Sequence, residues 1–101
     1  MNMQKLMQEA QKMQAQLQKD QKELEKTEYE GSSSLVNLKI NGKYEVVEVK
    51  INLPEGEVIG FEDKEMLEDM ILVAMNDATK KVVADKEKKM GKYGQGLAGL
   101  M

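Results

Sequence analysis

The first 26 residues constrain the fold more than any other part of this chain. Residues 3–26 contain neither glycine nor proline, so nothing in the sequence interrupts a helix of about seven turns. A seam of apolar residues at alternating three- and four-residue steps is typical of a helix that packs on another helix. Asp20 interrupts this seam, and we expect the helix to diverge or fray there. The seam consists of Met3, Leu6, Ala10, Met13, Leu17 and Leu24.

The size of the chain favours assembly with a second copy. At 101 residues it forms one small domain, and such domains bury only a modest fraction of their surface. Nine methionines replace the usual aromatic bulk, which indicates an adaptable core or a helix–helix interface. We therefore expect oligomerisation to supply part of the stability.

Two missing residue types exclude whole classes of function. Without cysteine there is no disulfide and no thiol nucleophile, and without histidine the commonest general base is gone. We therefore expect a binding protein and not an enzyme, with no cofactor and no small-molecule substrate.

The acids at 62–69 lack the spacing of a calcium loop, so no metal site is predicted. Neither a secretory signal nor an apolar run of membrane-spanning length is evident, which predicts a cytoplasmic protein and no membrane partner.

The middle of the chain has the periodicity of strands. Apolar and polar residues alternate over 36–40 and again over 47–53. Asn41-Gly42 separates these runs and predicts a type I′ hairpin turn, in which both central residues have positive φ. Two further short extended pieces are predicted at residues 27–30 and 58–61.

A second helix is predicted to begin near Asp63, where acids complement the positive end of the helix dipole. Gly91 ends it, and residues 91–101 form a flexible glycine-rich tail. The prediction is thus a single α+β domain over residues 1–90, with a small antiparallel sheet between two helices. The buried stripe of the second helix is predicted to consist of Leu67, Ile71, Ala74, Ala78 and Val82.

The net charge of −3 conceals an uneven distribution. Residues 44–69 contain nine acids and two lysines, whereas residues 78–101 contain six lysines and two acids. The total therefore does not argue against a nucleic-acid partner, because the positive charge is concentrated at the ends of the chain.

Lysines recur every seven residues along the first helix. About 10 Å of helical rise separates successive members of this row, which lies away from the apolar seam. One interpretation is a solvated face with ion pairs such as Lys5–Glu9, although lysine before glutamate is the weaker orientation for such pairs. The other is a row that contacts phosphates. The row consists of Lys5, Lys12, Lys19 and Lys26.

A second group of lysines lies near the end of the second helix. The helix dipole favours cations there, which accounts for two or three lysines but not for six. All fifteen basic residues of the chain are lysines, and without the forked guanidinium of arginine we expect little reading of base sequence. The group consists of Lys80, Lys81, Lys86, Lys88, Lys89 and Lys92, of which we predict Lys80, Lys81, Lys88 and Lys89 to contact DNA.

These features resemble the YbaB/EbfC family of bacterial nucleoid-associated proteins. The opening stretch MQEAQKMQAQLQK at residues 7–19 is similar to the family's Met/Gln/Lys opening. The most specific similarity is the segment 63–70, followed by Asn76-Asp77-Ala78 and Lys80-Lys81. The family often has arginine after the Asn-Asp-Ala motif, where this chain has lysine.

The resemblance implies an α-β-β-β-α protomer in a tweezer-like homodimer. It also implies binding to double-stranded DNA with little sequence preference, in nucleoid organisation and gene regulation. The alternative is a coiled-coil type interaction module accessory to DNA repair or recombination, because the apolar seam of the first helix suits either role. The predicted dimer or packing seam comprises Met3, Leu6, Met13, Leu17, Leu67, Ile71, Ala74 and Ala78.

Overall fold

Two long helices and a three-stranded antiparallel sheet make up the protomer. The computed structural model describes residues 2–93. Helix α1 spans Met3–Lys26 and helix α2 spans Lys64–Met90. The α+β class and the α-β-β-β-α order are thus confirmed. The three strands are β1, Glu28–Ser33; β2, Val36–Asn41; and β3, Val46–Ile51. A one-turn 3-10 helix stands before α2 at Phe61–Asp63 and another after it at Gly91–Tyr93. The rest of the predicted tail, from residue 94, lies outside the described residues.

Helix α1 has hydrogen-bonded caps at both ends. The Asn2 side chain accepts a hydrogen bond from the Gln4 backbone N–H at 3.0 Å, which satisfies one of the free amides of the first turn. At the other end Thr27 is extended, and its backbone N–H and hydroxyl donate to the Glu23 carbonyl at 3.0 and 2.7 Å. The helix runs unbroken through Asp20, so the predicted fraying at this residue is wrong.

The sheet has the order β1-β2-β3, and both neighbouring pairs are antiparallel. Residues directly opposite each other in such a ladder share a face. Leu38 lies opposite Val49 and Val36 lies opposite Ile51, so all four side chains are on the face that α2 covers. The core between sheet and helices consists of Leu24, Tyr29, Val36, Leu38, Ile40, Ala74, Ala78 and Val82.

Close contact between α2 and β1 depends on small residues. A Cβ atom at Gly31 would lie 2.1 Å from the Ala74 carbonyl oxygen and 2.7 Å from the Ala78 Cβ. The strand and the helix can therefore approach this closely only because the strand has a glycine and the helix has alanines here. This explains why the buried stripe of α2 contains alanines at its centre.

The β2–β3 hairpin exists, but its turn is not the predicted type I′. Within this turn, positive φ occurs at Tyr44, with φ 66°, and not at Asn41 or Gly42. The Asn41 carboxamide oxygen instead organises a longer turn by accepting from the backbone N–H groups of Lys43 and Glu45, at 2.9 and 3.1 Å. Gly42 is required for another reason. A Cβ there would lie 2.0 Å from the Leu24 carbonyl oxygen, where α1 ends.

Two other predictions need correction. The extended piece at 27–30 is confirmed as part of β1, but residues 58–60 form no strand and Phe61 begins a 3-10 helix. Ile71, which was predicted to belong to the buried stripe of α2, is 39% exposed.

The protomer is a rod of 72 × 21 × 15 Å. Its radius of gyration is 20.2 Å, whereas a compact domain of this length has a value of about 13 Å. The difference arises because residues 3–16 of α1, all of them exposed, project beyond the core. We call this segment the arm.

Candidate nucleic-acid interface

The four heptad-spaced lysines of α1, Lys5, Lys12, Lys19 and Lys26, are exposed and form no ion pair with any described residue. In particular, the alternative of stabilising pairs such as Lys5–Glu9 and Lys19–Glu23 is not what the structure shows. Lys5 and Lys12 lie on the arm, and Lys19 and Lys26 continue the row towards the sheet. Four ammonium groups with no carboxylate partner among residues 2–93 thus lie along one side of the helix, where they are available to anions.

The lysines of α2 divide into two groups. Lys81 donates to the Glu30 carbonyl oxygen at 2.7 Å and lies 3.7 Å from the Asp77 carboxylate. Lys89 lies 3.0 Å from the Asp85 carboxylate. Lys80 and Lys88 are exposed and form no ion pair with any described residue. Half of the predicted α2 contacts therefore already have acidic partners within the protomer.

Asp77 and Lys81 close the outer edge of the sheet. Asp77 accepts from the Ser32 backbone N–H, and Lys81 donates to the Glu30 carbonyl, so two outward-facing backbone groups of β1 are occupied by side chains of α2. An open strand edge invites pairing with another chain, and this arrangement reduces that risk. The sequence pattern indicated charge at these positions but not this structural role.

Burial and a hydrogen bond to Asp85 raise the pKa of Tyr29 to about 12. The same hydrogen bond, from the Tyr29 hydroxyl, lowers the pKa of the Asp85 carboxyl, and the Lys89 ammonium lowers it further. Asp85 is therefore held as a carboxylate between β1 and the last turns of α2. Its negative charge partly offsets the lysines around it.

The acidic middle of the chain is separated from the arm. On the sheet face opposite α2, Glu48 lies 3.3 Å from Lys39 and 3.4 Å from Lys50. Hydrogen bonds from these two ammonium groups lower the pKa of the Glu48 carboxyl. Of the other acids of this region, Glu45 lies in the hairpin turn on which α1 rests, whereas the remaining seven follow β3, whose last residue is at the opposite end of that strand. The negative net charge therefore does not surround the lysines of α1.

The last turns of α1 pack against α2 and β2, and two specific contacts stand out there. Leu24 is 3% exposed and lies against the Gly42 turn. One turn earlier, Asp20 accepts a hydrogen bond from the Tyr93 hydroxyl at 2.6 Å and another from the Gln16 side-chain amide at 2.8 Å. Asp20, the polar residue in the seam, thus joins α1 to Tyr93. The sequence gave no indication of Tyr93 as its partner, because 73 residues separate the two.

The predicted seam residues behave differently in the protomer. Met3, Leu6 and Met13 are exposed, by 73, 48 and 61%, whereas Leu17 is half-buried. On α2, Ala74 and Ala78 are fully buried and Leu67 packs against the core. The α2 positions other than Ile71 thus serve packing within the protomer, while those on the arm have no partner there.

A larger apolar surface lies along β3. Val49 and Ile51 are 54 and 43% exposed, although Leu38 and Val36 opposite them are buried under α2. The helix packs across β1 and β2 and hardly reaches β3. Val83 of α2 shares a groove with Tyr44 of the β2–β3 turn, and Leu72, eleven residues earlier, lies on the same side of that helix. We call this set the β3 surface; it consists of Val47, Val49, Ile51, Leu72 and Val83, all at least 41% exposed.

Residues 2–93 contain neither a metal-binding cluster nor a membrane-spanning helix. Within that range no three acidic side chains are arranged to hold a metal ion. None of the helices there is both long and apolar enough to span a bilayer.

Comparison with known proteins agrees with the geometry. Residues 1–97 match the model of the YbaB/EbfC DNA-binding family. A nucleoid-associated protein of Bacillus licheniformis is 46% identical, over 95% of this chain and 89% of its own length. One from Clostridium botulinum is 44% identical over 97% and 86%, and one from Chloroflexus aurantiacus is 43% identical over 99% of both chains. The chain therefore belongs to the YbaB/EbfC DNA-binding family, and it is a binding protein and not an enzyme.

Proposed function

We propose that this protein binds double-stranded DNA as a homodimer, with little sequence specificity. The observation that carries the proposal is the row of four α1 lysines, which are exposed and lack ion-pair partners among the described residues. Lysine neutralises phosphate as a point charge, and contacts to the phosphate backbone give affinity without reading bases. Lys80 and Lys88 add exposed charge on α2, whereas Lys81 and Lys89 would need to exchange their carboxylate partners for phosphates.

The β3 surface supports the dimer. A soluble protomer rarely exposes this many neighbouring apolar side chains, and such a patch usually marks an interface. The helix behind it is apolar on more than one side around Met70–Met75, as is typical of a helix covered by more than one neighbour. A second copy packed on this surface would bury β3 and the exposed flank of α2, and would leave both arms free. We propose a tweezer-like dimer of this kind.

The location of this protein in the cell is inferred from the names of its relatives. The three compared proteins are each described as nucleoid-associated. We infer that this chain also acts at the nucleoid, where a dimer with two projecting arms contributes to DNA organisation and to gene regulation. Binding through phosphates at many sites suits this role better than recognition of a single operator.

Salt dependence of duplex binding tests the proposal. We expect a gel-shift series to show a logarithmic slope of about −0.9 per phosphate neutralised, with similar affinity for unrelated duplex sequences. Single-stranded DNA and RNA competitors measure the preference for duplex. Failure to shift any duplex at low salt would refute the proposal.

The exposed arm favours a second candidate function. Met3, Leu6 and Met13 form an apolar stripe with no partner in the protomer, and such a stripe can dock on a helix of another protein. Affinity capture that recovered a stoichiometric protein partner, free of nucleic acid after nuclease treatment, would support this role as an accessory module in DNA repair or recombination.

A further inference from the structure

Only the last turns of α1 touch the rest of the protomer. Every residue from 3 to 16 is exposed, whereas Leu17 and Asp20 are half-buried and Leu24 is buried. The chain leaves the helix through Thr27, a single extended residue. The direction of the arm therefore depends on the contacts at its base.

One contact at the base fixes where α1 lies but not where it points. Leu24 sits on the Gly42 turn, and rotation about this point would move the other end of the helix. Met3 is about 30 Å away along the helix, so a rotation of about 10° moves it by about 5 Å. A displacement of this size would shift the lysines of the arm relative to a DNA backbone.

Asp20 and Tyr93 make the second contact, one turn further along α1. The Tyr93 side chain is 7% exposed, and its hydroxyl donates to the Asp20 carboxylate at 2.6 Å. The Gln16 amide holds the other carboxylate oxygen at 2.8 Å. Tyr93 reaches this position because α2 continues into the 3-10 turn Gly91–Tyr93, which places the ring beside α1. A hydrogen bond to a charged group that is partly shielded from water is among the stronger single contacts in a protein.

We propose that Tyr93 is a positioning residue that fixes the direction of the arm through its hydrogen bond to Asp20. It touches no DNA itself. Without this bond the arm samples a range of directions, and only a fraction of protomers holds its lysines as a bound duplex requires. The apparent DNA affinity falls in proportion to that fraction. This second step rests on the proposed function, whereas the first concerns the protein alone.

Tyr93→Phe tests the first step, because it removes only the hydroxyl. Spin labels on Gln8→Cys in the arm and Ala84→Cys in α2 report the arm direction, since the natural chain has no cysteine. Diluting the labelled chain with unlabelled chain keeps the measured distance within one protomer. We expect double electron–electron resonance to give a narrower distance distribution in the parent than in Tyr93→Phe.

Tyr29→Phe is the matched control. It also removes a tyrosine hydroxyl bonded to an aspartate, but this bond joins β1 to α2 and not the arm to the core. We expect Tyr29→Phe to lower the melting temperature without broadening the arm distribution. An unchanged distribution in Tyr93→Phe, or equal broadening in both variants, would overturn the proposal.

A gel shift with the unlabelled Tyr93→Phe chain tests the second step. We expect duplex affinity to fall severalfold while sedimentation still reports the parental oligomer. If the distance distribution broadens but the affinity for duplex DNA is unchanged, DNA binding does not depend on the direction of the arm. That result would refute the second step. Because the distance measurement uses no DNA, it stands even if the parent chain fails to bind duplex.

Discussion

The Asp77 carboxylate accepts a hydrogen bond from the Ser32 backbone N–H, with 3.2 Å between the two heavy atoms. Lys81, one helical turn later, donates to the Glu30 carbonyl at 2.7 Å. These two side chains belong to the segment in which the sequence most resembles its family. Their contacts show that part of this segment maintains the joint between α2 and β1, independently of any DNA contact.

Neighbouring lysines on α2 should therefore differ in their effect on stability. We expect Lys81→Gln to lower the free energy of unfolding by about 1 kcal/mol, because the Glu30 carbonyl loses its donor. Lys80→Gln removes the same charge from an exposed side chain and should change stability by less than about 0.5 kcal/mol. Urea denaturation measures both, and equal values for the two variants would contradict the structural role of Lys81.

Gly42→Ala should detach α1 from the sheet. The new Cβ would collide with the Leu24 carbonyl, so we expect a loss of about 3 kcal/mol in unfolding free energy or a protomer with a displaced α1. Gly91→Ala is the control, because its Cβ would meet nothing within 4 Å and its φ is −62°. That variant should be neutral or slightly stabilising by thermal denaturation. If the Gly42→Ala and Gly91→Ala proteins were equally stable, close packing of the Gly42 turn against α1 would be ruled out.

Alkaline stability should depend on Tyr29. Its pKa is about 12 in the folded protein against 10.0 for an unperturbed tyrosine, so the folded state retains this proton at pH values where the unfolded state loses it. Stability therefore falls as pH rises from 10 towards 12. Tyr29→Phe should remove this part of the slope when denaturation midpoints are compared at pH 9, 10 and 11. A slope that persists unchanged would mean that Tyr29 titrates normally.

A charge on the β3 surface should dissociate the dimer. We expect sedimentation of the parent chain to report a dimer at micromolar concentration and Val49→Asp to report a monomer, because an unpaired carboxylate would be buried in the interface. Val58→Asp introduces the same charge at a side chain that is 86% exposed and outside this surface. It should remain dimeric. Dimers in both variants would place the interface elsewhere.

Loss of α1 lysines should weaken binding to all duplexes equally. For Lys12→Gln/Lys19→Gln we expect the salt slope to decrease by about 0.9 for each lysine that contacts a phosphate. Lys50→Gln/Lys64→Gln makes the same change in net charge at lysines that already pair with Glu48 and Glu68. Gel shifts at several salt concentrations should leave this control close to the parent. Equal losses in the two double variants would indicate a general charge effect and not a specific row.

Periodicity was enough to predict both helices and the β2–β3 hairpin. It could not predict the details that depend on distant residues. Asn41-Gly42 correctly indicated a turn, yet Gly42 is needed because α1 ends against it, and no local pattern reports that contact. From the sequence, Asp20 only interrupts the apolar seam, because its hydrogen-bond donor, Tyr93, lies 73 residues away.

The interface was predictable only in part. The spacing of the α1 lysines gives an exposed row directly, since every helical turn repeats the same geometry. The partners of Lys81 and Lys89 depend on how α2 crosses β1, which in turn depends on Gly31 and the alanines opposite it. The apolar alternation of β3 indicated a buried face, but α2 packs across β1 and β2 and leaves that face exposed on β3, which no local property of the strand reports.

The projecting arm has a thermodynamic consequence. Fourteen residues of α1 form helix without burying a side chain, and isolated helices of about this length are only marginally stable in water. The arm therefore melts and reforms while the core stays folded, and its amides should exchange with solvent far faster than those of α2 beside Gly31. Under the proposed function, a phosphate backbone bound to the lysine row would stabilise the helical form, so folding of the arm would be thermodynamically coupled to DNA binding.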